Sequence, residues 1–150
     1  MKNLFFLLAL VLTVTSCRNE DCGCTVIASS FNFAKIKDGK YLFDDADFRK
    51  KPIRILYNTN GTWKEYFEGN LDAPYGYTFY QEADQHYYMK VHVDNRLNSD
   101  KVAFKIKFDE AQTDHAEAAF RIWKNGQSIT TLIYNGKQVE PWEPKFTITE

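Results

Sequence analysis

Apolar residues recur at every second position through long stretches of this chain. The plainest run is Val102, Phe104, Ile106 and Phe108, interleaved with Lys101, Ala103, Lys105 and Lys107. Such alternation turns apolar side chains to one face and lysines to the other, as in a half-solvated antiparallel strand. Ile53, Ile55 and Tyr57 alternate with Arg54 and Leu56, which predicts a strand over Pro52–Asn58 with proline at its start, where a missing N–H is tolerated. Phe31, Phe33 and Lys35 share one phase against Asn32 and Ala34 inside the β-rich segment Thr25–Ile36. Tyr75, Tyr77 and Phe79 share a phase, as do Tyr87, Met89, Val91 and Val93, and these two runs meet through Glu82–Gln85 as a hairpin. Ala118, Phe120 and Ile122 are expected inward on a strand over Ala116–Trp123, although Glu110–Ala119 is alanine-rich enough to read as a helical turn. Trp142 and Phe146–Ile148 close the chain.

Turn chemistry falls between these runs. Asn60-Gly61, Asn125-Gly126 and Asn135-Gly136 are hairpin dipeptides, and Asp38-Gly39 is a turn. The polar segments Asp44–Lys51, Gly69–Pro74 and Asp94–Asp100 read as loops. About eight strands at spacings of roughly 8 to 12 residues predict an all-β fold, an antiparallel β-sandwich of Ig-like or Greek-key type. A small antiparallel β-barrel is the alternative.

The amino-terminal stretch breaks this pattern. Lys2 precedes an apolar run from Leu4 to Leu12, too short for the roughly 20 residues of a membrane span and suited to a secretory signal. Val14-Thr15-Ser16-Cys17 resembles the bacterial lipobox, a branched apolar residue and two small ones before a cysteine. The resemblance implies cleavage after Ser16, a diacylglyceryl group on the Cys17 sulfur and acylation of the new amino terminus. Two or three acyl chains give stable membrane retention. Residues 1–16 are then a signal peptide, 17–24 a tether and 25–150 the β domain.

Arg18 follows Cys17 in place of the aspartate that marks inner-membrane retention, and Asn19-Glu20-Asp21 resembles a surface-export tag of Bacteroidota lipoproteins. Asp38-Gly39-Lys40-Tyr41-Leu42-Phe43-Asp44, with Tyr41 where an acid is usual, and Ile133-Tyr134-Asn135-Gly136-Lys137 resemble the opening and closing segments of small Bacteroidota envelope lipoproteins of uncharacterised function. The resemblance implies a lipid-anchored outer-membrane protein, on the periplasmic face or the cell surface.

Composition then narrows the function. A net charge of −1 and a pI near 6.3 offer no clustered basic surface for nucleic acid. Of three cysteines, Cys22 and Cys24 remain to pair in an oxidising envelope, through a small strained ring. Asp38, Asp44, Asp45 and Asp47 lack the EF-hand spacing and read as a solvated acidic loop, with calcium the metal their oxygens would suit. His86 and His92 on one strand face stand about 20 Å apart, too far for one zinc. His115, beside Asp114 and Glu117, reads as part of an exposed acidic turn. No nucleophile motif is present, so no catalytic residue, metal or cofactor is assigned.

The aromatic content of 16% is the stronger lead. If Met89, Val91 and Val93 face inward, Tyr88 faces out; by the same phase argument Tyr66 and Tyr80 do too. An exposed ladder of Tyr66, Tyr80 and Tyr88 would stack on a glycan or anchor an envelope protein. The expectation is therefore a non-catalytic binding module. A structural or accessory subunit is the alternative, and a small hydrolase the remote one.

Overall fold

In a computed structural model, the chain is described over residues 26–93, 100–124, 126–140 and 146–149. Cys17, Cys22, Cys24, the signal segment and Trp142 lie outside these residues. The strands in chain order are β1 (Val26–Ala28), β2 (Ser30–Lys37), β3 (Lys40–Tyr41), β4 (Arg54–Thr59), β5 (Thr62–Glu65), β6 (Tyr77–Gln81) and β7 (Tyr87–His92). They continue with β8 (Lys101–Lys107), β9 (Thr113–Trp123), β10 (Gly126–Tyr134), β11 (Lys137–Val139) and β12 (Phe146–Thr149). One sheet runs β1-β10-β9-β8-β4-β5 with β11 on β10; the other runs β12-β2-β7-β6 with β3 on β2. The pairs are antiparallel except β1 with β10 and β12 with β2. This is an all-β sandwich, and the strands beyond the expected eight or so include the short additions β1, β3, β11 and β12.

Local chemistry explains the hairpins. Asp38-Gly39, Asn60-Gly61 and Asn135-Gly136 each hold both residues at positive φ, the paired left-handed geometry that matches strand twist. Between Ile129 and Thr131 the β9/β10 register shifts by a bulge, and the extra residue moves the inward phase from Ile129 to Leu132 and Tyr134. β9 is extended through the region that also read as a helical turn. The segment Asp44–Lys51, expected as a polar loop, follows a 3-10 turn (Leu42–Asp44) and holds the helix α1 (Ala46–Arg49); these send Phe43 and Phe48 into the core.

Most predicted apolar phases point inward: Ile53, Ile55, Met89, Val91, Val93, Val102, Phe104, Ile106, Phe108, Ala118 and Phe120 are all buried. Ile122 is not; at 44% exposed it sits where β9 runs beyond the core. Rings interlock between the layers, with Phe33 on β2 at 5.3 Å from Tyr134 on β10 and Phe31 on β2 at 5.9 Å from Phe104 on β8.

One pair of charges lies inside this core. Lys35 keeps the phase of Phe31 and Phe33 and is completely buried, and Asp114 on β9 is 4% exposed. Lys35 Nζ donates to Asp114 Oδ2 at 2.6 Å. Tyr134 OH donates to the same oxygen at 2.7 Å, and Asn135 Nδ2 to Oδ1 at 3.0 Å. The pair joins the two sheets. His115, the next residue along β9, is exposed, so the expected acidic turn is a strand that sends neighbouring side chains to opposite faces.

Candidate functional site

Aromatic exposure is concentrated in the connection between β5 and β6, which carries the chain from one sheet to the other. Tyr66 N donates to Ile55 O at 2.8 Å, and the Tyr66 ring meets Tyr57 edge-on at 5.9 Å. At the far end Gly76 adopts φ +78°, and a Cβ there would stand 3.0 Å from the Tyr66 ring. Gly76 O accepts from His92 N at 2.8 Å, fastening the loop to the end of β7. Across the neck Glu68 N donates to Pro74 O at 2.7 Å, and Leu71 N to Glu68 O at 3.2 Å. On this frame Phe67 is 60% exposed, Leu71 48% and Tyr75 46%. The Phe67 and Tyr75 rings meet at 5.2 Å with a 49° tilt.

The expected ladder does not form. Tyr88 is 3% exposed, covered by Tyr80 across the hairpin at 6.2 Å, and its hydroxyl donates to Asp84 Oδ2 at 2.8 Å. Tyr66 follows a strand of the other sheet and packs on the core as the pin of the loop. The strand phase stops at Glu65, so the outward rings are the sequence neighbours that alternation would have turned inward, Phe67 and Tyr75.

A second candidate lies where the β2–β3 hairpin meets the β6–β7 hairpin. The Tyr41 and His86 rings stack at 3.7 Å and 7°. His86 Nδ1 is 2.8 Å from Asp44 Oδ2, while Asp44 Oδ1 accepts from Tyr87 N at 2.8 Å. Arg49 lies 3.6 Å over the Tyr87 ring and donates to Asp44 O at 2.9 Å, bracing the carboxylate's backbone. The groove in front measures about 660 Å³ and is lined by Lys37, Asp38, Lys40, Tyr41, Asp44 and His86 among others. A flat ring edge flanked by carboxylates and amines offers stacking area and both hydrogen-bonding polarities.

The acids of this segment have separate duties. Asp45 caps α1 by accepting from Asp47 N at 2.8 Å, and Asp47 pairs with Lys50 at 2.9 Å. Among the described residues no three His, Cys, Asp or Glu side chains gather into a set that could hold a metal ion, so the oxygens considered for calcium do not converge. His92, well away from His86 along β7, has its pKa lowered by burial and secondarily by Lys90. Sequence reasoning missed the Tyr41–His86–Asp44 cluster because Tyr41 ends the β2–β3 hairpin and Asp44 follows it, while His86 lies in the distant β6–β7 turn, and the β2–β7 pairing brings them together. Among the described residues no helix is long and apolar enough to cross a membrane. No protein family, curated protein or solved structure matches this chain.

Proposed function

We propose that this chain is a lipid-anchored protein of the bacterial cell envelope, held at the outer membrane through Cys17, whose β-sandwich binds a protein partner through Phe67, Leu71 and Tyr75. The supporting observation is the aromatic loop: apolar side chains carried outward on a frame fixed at both ends and across its neck. A rigid aromatic anchor loses little conformational entropy on docking, which is why such residues dominate binding energy at interfaces. The tilt between Phe67 and Tyr75 suits a side-chain pocket better than the flat face of a sugar. The anchor rests on the lipobox resemblance of residues 14–17. Cys17→Ser is expected to move the protein from the membrane to the soluble fraction.

The binding test places a photo-crosslinking residue at Leu71 in intact cells. One discrete protein adduct, lost in Phe67→Ser/Tyr75→Ser, is the expected result. An adduct indifferent to that double substitution, or none, overturns the reading and leaves an accessory subunit without its own ligand. The stacked Tyr41–His86 pair favours a second reading, a glycan subsite in the adjoining groove. Loss of glycan-array binding in Tyr41→Ala, but not in Phe67→Ser/Tyr75→Ser, would separate the two surfaces.

A further inference from the structure

The buried ion pair between the sheets carries an inference of its own. Lys35 and Asp114 are 79 residues apart in sequence, lie on opposite layers, and meet at 2.6 Å with almost no exposure. The lysine amine also lies 4.7 Å over the Phe108 ring. Two charges taken out of water are costly to keep unless every lone pair is engaged, and replacing such a pair by apolar residues is often neutral or better. A device that removes both charges without removing the link between the layers would relieve this cost.

We propose that Lys35 and Asp114 condense spontaneously into an isopeptide bond that crosslinks the two sheets. A proton passes from Nζ to Oδ2, leaving a neutral amine against a carboxylic acid. Nζ then adds to Cγ, and the charge that develops on Oδ1 is met by the Asn135 Nδ2 donor. A second proton moves from Nζ to Oδ2, the Cγ–Oδ2 bond breaks, and Oδ2 leaves as water. One water is lost, the amide forms, and nothing is oxidised or reduced. The Tyr134 hydroxyl stands beside the leaving oxygen and positions it as a hydrogen-bond donor. The 2.6 Å contact of Nζ with Oδ2 holds the amine against the carboxyl group it attacks, the kind of enforced proximity that replaces an activated reagent. An outlet lies close by: Tyr134 and Asn135 line a groove of about 220 Å³ at the seam between β11 and β12.

Mass spectrometry of the full chain, extracted and digested, tests the bond directly. The expected result is a branched fragment that joins the Lys35 and Asp114 peptides and weighs one water less than their sum. Lys35→Met should abolish it, and Tyr134→Phe, which removes the donor beside the leaving oxygen, should lower the crosslinked fraction at a fixed time after synthesis. Circular dichroism on the same preparations establishes that each is folded. Folded protein in which both peptides appear separately at full mass overturns the proposal. So does a water loss confined to Asp38-Gly39, where an aspartate before glycine can close a succinimide on its own.

Discussion

Asp114 shows how much one residue's surroundings decide. It stands between Ile106 across the β8 register and exposed His115 along the strand, and its carboxylate accepts from Lys35, Tyr134 and Asn135. Removing either charged partner breaks a buried ion pair, at about 3–5 kcal/mol. Lys35→Met is expected at the lower end, because the carboxylate keeps its Tyr134 and Asn135 donors and methionine fills a similar volume. Asp114→Ala is expected at the upper end, since it removes the acceptor that Lys35, Tyr134 and Asn135 share. Both substitutions remove any bond between the two side chains, so the difference in their urea midpoints reads the loss of the acceptor shared by Tyr134 and Asn135. Equal midpoints would refute this ordering. Nothing in the sequence marks Lys35 as buried except its phase with Phe31 and Phe33, and a lysine in that phase is as readily a strand's solvated end.

At the scale of elements, the hairpins were legible and the loop between β5 and β6 was not. Asn60-Gly61 and Asn135-Gly136 specify their turns through backbone preference alone, so no distant residue is needed to predict them. Tyr66 to Gly76 depends instead on contacts with Ile55, Tyr57 and His92. Period-two reasoning continued past Glu65 inverts this segment, turning Phe67 in and Tyr66 out. Gly76 is the closure of the loop, because its positive φ excludes most side chains and the Tyr66 ring occupies the space a Cβ would need. Gly76→Ala is expected to cost about 1–3 kcal/mol and to speed hydrogen exchange at the amides of residues 66–76, with β8 and β9 unaffected. Unchanged exchange in the loop would show that its frame does not depend on this closure.

For the whole molecule, stability follows pH through groups whose protonation differs between folded and unfolded chain. His92 has its pKa lowered by burial first and Lys90 second, so the unfolded chain binds the proton more readily. Its contribution is complete above the ordinary histidine value of 6.5 and is lost as pH falls toward the depressed one. Asp109 is held below its ordinary range by the Ala111 and Gln112 amides, and Glu110 by Lys107. Both add to the same acid limb at lower pH. Tyr77 is shifted upward, chiefly by burial, so its contribution is present below the ordinary value of 10.0 and fades as pH rises through the folded one. Stability is therefore expected to plateau between neutral and mildly alkaline pH. His92→Gln should flatten the decline just below neutrality while leaving the loss at lower pH, as thermal melts across pH would show; an unaltered decline would place its origin elsewhere.

Sequence by itself determined the class of fold, the inward phase of most strands and the turns that join them. Those features arise from the pleat and from the backbone preferences of residues a few positions apart, which any reading of neighbours can reach. Only the tertiary structure decided which aromatics face solvent, because Tyr88 is covered across a hairpin and Phe67 and Tyr75 are turned outward by a loop fastened to both sheets. It alone joined Tyr41, His86 and Asp44, and it alone brought the Lys35 amine to Asp114. Each of these depends on strands far apart in sequence lying side by side or face to face, and burial of a polar group is set by what packs around it.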